Sequence, residues 1–84
     1  MVKLELKDTV EMMNSADYKE RFKAEYHQTK IRYEKLHRMI IKYEAGTLEF
    51  EPTSAIAILK EQQRFMWMYL FMLEVRAEQE GIEL

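Results

Sequence analysis

Eighty-four residues at 10.2 kDa hold one small domain, with only two glycines and one proline for tight corners. A β-sandwich or barrel needs many such corners, so this chain, 48% hydrophobic and 33% charged, reads as all-α. The net charge of −2 gives no positive field for duplex DNA, and zero cysteines exclude disulfides, thiolate zinc sites and cysteine nucleophiles. With no secretory-leader pattern, a reducing cytoplasm is the expected compartment. A membrane partner is not expected either: the longest apolar run, Phe65 to Leu73, is nine residues, against the ~20 that span a bilayer. A chain this short buries only about 60–65% of its unfolded surface. Its seven methionines and ten aromatics therefore predict self-association.

Residues 1–13 read as a short N-terminal arm. Val2, Leu4 and Leu6 alternate with Lys3, Glu5 and Lys7 as in a strand. The alternative is a short helix from Asp8 to Met13, with Asp8 as N-cap and Glu11 three residues on. Residues 14–84 read as a helical hairpin domain. Asn14 or Ser15 can cap a first long helix from Ala16 to Glu44, with Asp17 in its first turn, where the helix dipole favours negative charge. Ala45-Gly46 ends it, since Gly46 can take positive φ. Thr47 to Thr53, around Pro52, leaves room only for an antiparallel return. Thr53 or Ser54 then caps a second long helix that runs to Glu80 and stops at Gly81. No repeat or linker divides the hairpin.

Helical spacing places Tyr18, Phe22, Tyr26, Thr29, Tyr33, Leu36, Ile40 and Tyr43 on one stripe of the first helix. The matching seam of the second is Ala55, Leu59, Gln62, Gln63, Met66, Leu70, Leu73 and Ala77. The second helix is apolar well beyond that seam. Ile58, Phe65, Tyr69 and Met72 form a neighbouring stripe, and Trp67, Met68, Phe71 and Val75 lie on the far side. A helix apolar nearly all round must be buried nearly all round, which one partner helix cannot do. Phe65, Trp67, Met68, Phe71, Met72 and Val75 are therefore expected in a homo-oligomer interface, the other account being that the arm folds back over them.

Four tyrosines on one seam fit either hydroxyls reaching a solvent rim or a polar pocket that stacks on a flat ligand. Between Lys30 and Lys42 five cations face one carboxylate, Glu34. Cations beside aromatic rings suit a nucleotide, because rings stack on bases while lysine and arginine neutralise phosphate. The plainer account is a solvated face in which Glu34 pairs with Lys30 or Arg38. Gln62 and Gln63 beside the seam suit hydrogen bonds across the hairpin, or contacts to a ligand. Catalysis has little to stand on. His27 and His37 diverge by roughly 80° around the helix, neither has an evident partner, and no metal-ligand spacing, phosphate loop or nucleophile elbow is present.

The runs YEKLHRMI (Tyr33 to Ile40) and LKEQQRFMWMYLFMLEVR (Leu59 to Arg76) resemble the hairpin domain of phage and prophage anti-CBASS and anti-Thoeris sponges. The matching positions are Lys35-Leu36, Met39-Ile40, then Leu59, Gln62, Met66, Tyr69, Leu73 and Arg76, which are mostly helix-packing positions within Asp17 to Arg76. The resemblance implies a homo-oligomer, often a hexamer, in the cytoplasm of a bacterial host, with no catalytic chemistry, cofactor or metal. It implies binding of cyclic oligonucleotide or cyclic ADP-ribose signals of antiphage defence, held unchanged away from their effectors. By the same resemblance Tyr18 and Tyr26 are the base-stacking candidates and Lys30 and Arg32 the phosphate clamp, while Arg64 and Arg76 line a second pocket. The competing expectation is an oligomeric adaptor or inhibitor that grips a host protein with the apolar second helix.

Overall fold

The computed structural model describes residues 3–84, so Val2 of the alternating arm pattern lies outside the described residues. A 3-10 turn at Leu6–Thr9 runs into α1 (Val10–Met13), and two long helices follow, α2 (Tyr18–Ala45) and α3 (Ile56–Glu80). Helix is the only regular structure among the described residues. The arm is thus not a strand, since an isolated strand would leave its backbone groups unpaired. The alternative, a short helix within Asp8 to Met13, is what forms as α1, although its N-cap is Thr9 and not Asp8. Glu5 is the N-cap of the 3-10 turn, and the Glu5 and Asp8 side chains cap each other's backbone, with Glu5 N donating to Asp8 Oδ2 at 2.9 Å.

Helix α2 starts later than Asn14 or Ser15 suggested. Asp17 is its N-cap and accepts from Lys19 N at 3.0 Å, while Ser15 Oγ accepts from Asp17 N at 3.0 Å. A carboxylate serves the helix dipole better than a hydroxyl does, so Asp17 caps the helix and Ser15 steadies the approach. At the other end Gly46 takes φ 77°. Thr47 N donates to Lys42 O at 2.9 Å and Gly46 N to Tyr43 O at 3.1 Å, a Schellman closure. Helix α3 has Ala55 at its N-cap with no side-chain bond, so neither Thr53 nor Ser54 caps it. It ends at Gly81, φ 69°, where Ile82 N donates to Ala77 O at 2.8 Å.

Five side-chain bridges run from α2 to α3: Tyr18–Glu80, Tyr18–Arg76, Tyr26–Glu74, His37–Gln63 and Glu44–Lys60. Rising numbers on α2 meet falling numbers on α3, which makes the pair an antiparallel hairpin. The 28 residues of α2 account for ~42 Å at 1.5 Å each, and the long axis measures 43 Å. Gln63 does bond across the hairpin, and in doing so supplies His37 with the partner that sequence did not reveal.

The core is Phe22 and Tyr26 from α2 against Leu70, Leu73 and Ala77 from α3, with Ile82 folded in behind Gly81 and Tyr33 packed against the cluster. The two seams are narrower than the periodicity suggested. Tyr18 and Tyr43 are exposed at the ends of α2, and Ala55 and Gln62 are exposed on α3. A lone helix pair encloses a single strip, and side chains toward its ends and edges return to water.

The arm docks on α2. Thr9 is completely buried, donating to Leu6 O at 2.7 Å and accepting from Gln28 Nε2 at 2.9 Å. Ala24, one turn before Gln28, is also fully buried. The arm packs on α2 and not on α3. Of the two accounts of the apolar α3 surface, cover by the arm is therefore not what this fold does. Within the protomer Trp67 and Phe71 stay 57% and 54% exposed. No helix among the described residues is long and apolar enough to cross a membrane.

Candidate ligand-binding groove

Midway along the hairpin the long helices leave a groove of about 190 Å³. Tyr26, Tyr33 and Leu70 form its base, Trp67 and Phe71 one wall, and Lys30, Glu34 and Glu74 its polar edge. Tyr26, Lys30 and Tyr33 line one side because steps of four and three keep a helical face, and Trp67 and Phe71 share the facing side for the same reason. The wall is flat: the Trp67 and Phe71 rings stack with centroids 6.3 Å apart and planes 16° from parallel.

Lys30 Nζ lies 5.8 Å from the Tyr26 ring centroid. Among the described residues Lys30, Arg32, Lys35 and Arg38 form no salt bridge. The pairing of Glu34 with Lys30 or Arg38 is accordingly not formed. Tyr26 is buried, and its hydroxyl donates to Glu74 Oε2 at 2.8 Å. Burial first, and the Glu74 carboxylate second, push the Tyr26 phenol up to about 12. An unfolded tyrosine ionises near 10, so this phenol contributes stability that is intact below pH 10 and drains away as pH rises from 10 to 12. Thermal melts should show a steeper alkaline loss for the wild type than for Tyr26→Phe. Equal slopes would mean that the hydroxyl is not held as described.

Two further clusters lie outside the groove. At the open end of the hairpin Tyr18 donates to Glu80 at 2.7 Å and accepts from Arg76 at 2.8 Å, and Arg76 sits 5.0 Å from the Phe22 ring centroid. The Glu80 hydrogen bond raises the Tyr18 pKa, and the Tyr18 hydroxyl, followed by Arg76, lowers that of Glu80. Between the arm and α2 lies a cleft of about 430 Å³, with Lys3, Lys7, Lys35 and Arg38 around Leu4, Leu6 and Ile31. His27 is half-buried, and desolvation, then Lys30 and Lys23, lowers its pKa.

The expected site residues thus divide. Tyr26 and Lys30 share the groove, and Tyr18 and Arg76 share the open end. Arg32 is exposed and stands roughly 200° round the α2 wheel from Lys30, so one protomer cannot bring both to the same ligand. Arg64 pairs with Glu61 at 2.9 Å on the outer surface of α3, about 18 Å along the helix from Arg76. Sequence reasoning passed over Tyr33, Trp67, Phe71 and Glu74 as groove residues. The i,i+4 aromatic pair Trp67 and Phe71 was the available signal, but only the hairpin register places it opposite Lys30.

A two-helix antiparallel hairpin with an aromatic groove edged by Lys30, Glu34 and Glu74 defines a small all-α module. The chain belongs to the Sequestin family, whose model matches residues 16–79. This agrees with the resemblance to sequestering proteins, since the family name implies sequestration. The match covers α2, the connection and nearly all of α3, leaving the arm outside. No curated protein and no solved structure matches the chain.

Proposed function

We propose that this protein is an immune-evasion sponge of phage type. It binds a cyclic oligonucleotide or cyclic ADP-ribose signal of bacterial antiphage defence and holds it without cleaving it. The observation that carries this reading is the groove, where stacked Trp67 and Phe71 face the unpaired cation Lys30 across Tyr26. The aromatic wall suits a base and Lys30 suits a phosphate. Glu34 and Glu74 on the same edge suit the N–H groups of a purine, because ionised carboxylates only accept. Arg32 acts from a neighbouring copy of a homo-oligomer, and Tyr18 with Arg76 serves a second pocket. The oligomer forms through the outer surface of α3, where Phe65, Trp67, Met68, Phe71, Met72 and Val75 are all exposed.

Calorimetric titration of the purified protein with cyclic di- and trinucleotides and cyclic ADP-ribose isomers tests the reading. Saturable binding to one of them, with the ligand recovered unchanged after heat denaturation, is the expected result. Silence across that set would overturn it and favour a host-protein inhibitor acting through the same α3 surface, where Phe65, Trp67, Phe71 and Met72 are exposed.

A further inference from the structure

The outer surface of α3 carries a directional charge pattern. Taking Phe71 as the origin of the helical wheel, Trp67, Met68 and Val75 all fall within roughly 60° of it. Arg64 and Glu78 lie on the same stripe within roughly 20°, one at each end, seven residues before and after Phe71. The apolar stripe is therefore bounded by a cation toward the connection and by an anion toward the C-terminal end of α3. The Arg64 guanidinium lies over the Phe65 ring, 4.5 Å from its centroid, at the edge of the stripe. Glu61 holds Nε and NH2 of the guanidinium, and NH1 points to Met68 Sδ at 3.5 Å. Glu78 forms no ion pair among the described residues.

We infer that α3 pairs with α3 of a second copy about a two-fold axis at Phe71, antiparallel, with Arg64 facing Glu78 of the partner subunit. The inference rests on the oligomer proposed above and specifies its register. Antiparallel pairing brings Phe71 against its own copy and Trp67 against Val75 of the partner subunit, and it forms the Arg64–Glu78 contact twice. Parallel pairing in register would oppose Arg64 to Arg64 and Glu78 to Glu78, which like-charge repulsion disfavours. A shift by one helical turn would leave Arg64 without its partner and expose an aromatic ring. Trp67 and Phe71 also wall the groove, so the second copy closes each groove from its open side and completes the site.

The test is charge exchange, read by sedimentation equilibrium on the intact chain, with circular dichroism confirming the helix content of each variant. Arg64→Glu and Glu78→Arg should each weaken self-association by about tenfold or more, and the double variant should return to within about threefold of wild type. Phe71→Cys, in a chain that has no other cysteine, should be joined to its own copy by a short bis-maleimide, whereas Ile58→Cys should not. A wild type that self-associates without rescue in the double variant, or without Phe71→Cys joining, overturns the register alone. A wild type that stays monomeric at tens of micromolar overturns the oligomer as well.

Discussion

Replacing Leu73 with alanine should lower the unfolding free energy by about 2–5 kcal/mol, the range for truncating a large aliphatic side chain in a closed core. Leu73 is 1% exposed and sits in the one cluster that joins both long helices to the Gly81 return. A domain of this size holds in total roughly 4–13 kcal/mol, so the single change removes a large share of it. The melting temperature should fall by tens of degrees or the variant should fail to accumulate. Phe71→Ala provides the contrast, because Phe71 is largely exposed in the protomer and its loss leaves no cavity there. Thermal melts at low protein concentration, where self-association contributes least, should show a large drop for Leu73→Ala and a small one for Phe71→Ala. Similar drops would mean that the packing is not as described.

For ligand capture the largest loss is expected from Lys30→Ala. A charge-assisted contact to phosphate is worth about 1.5–3 kcal/mol, which corresponds to a Kd weaker by about ten- to 150-fold. Lys30 is exposed, sits at the edge of the core and forms no ion pair among the described residues. Fold and self-association should accordingly be unchanged. Titration of this variant with the ligand that binds the wild type is the measurement, and an unaltered Kd would place the phosphate elsewhere. Arg32→Ala adds a separate distinction. Since Arg32 points away from the Lys30 groove of its own protomer, a comparable loss would show that a neighbouring copy contributes it.

The alkaline behaviour of Tyr26 bears on the same groove. Its hydroxyl is committed to Glu74, which holds that carboxylate in place along the groove edge. The same bond explains why a phenol is tolerated on a core seam: it crosses the hairpin to an acceptor at the rim, as the pattern of seam tyrosines allowed. Tyr18 does likewise with Glu80 and Arg76. Both tyrosines pin the hairpin register through their hydroxyls, while Lys30 lies over the Tyr26 ring and the Tyr18 ring stacks with Phe22. Trp67 and Phe71 make no bond across the hairpin; they stack on each other and are largely exposed within the protomer.

Helix content, the two helix ends at Gly46 and Gly81, and the antiparallel return around Pro52 were legible from residue order. Each depends on backbone chemistry within a few neighbours: glycine at positive φ, proline outside a helix, apolar residues at helical spacing. The excess of apolar residues on α3 was legible too, because counting faces on a wheel requires no partner. The helix starts were less so, since Ser15, Asp17, Thr53 and Ser54 are all competent caps and small differences in approach decide among them. Ile82 entered the core through the Schellman closure at Gly81, a turn that reverses the chain and carries a residue beyond the helix back onto it. For the arm the local pattern left two choices, a strand by alternation or a short helix from Asp8 to Met13, and the helix formed; its seat on α2, where Gln28 donates to buried Thr9, came from tertiary packing. The groove depended on register most of all. Lys30 meets Trp67 and Phe71 only because pairing of Tyr26 with Glu74 and of His37 with Gln63 sets how far α3 slides along α2, and such long-range alignment arises from packing of the whole hairpin.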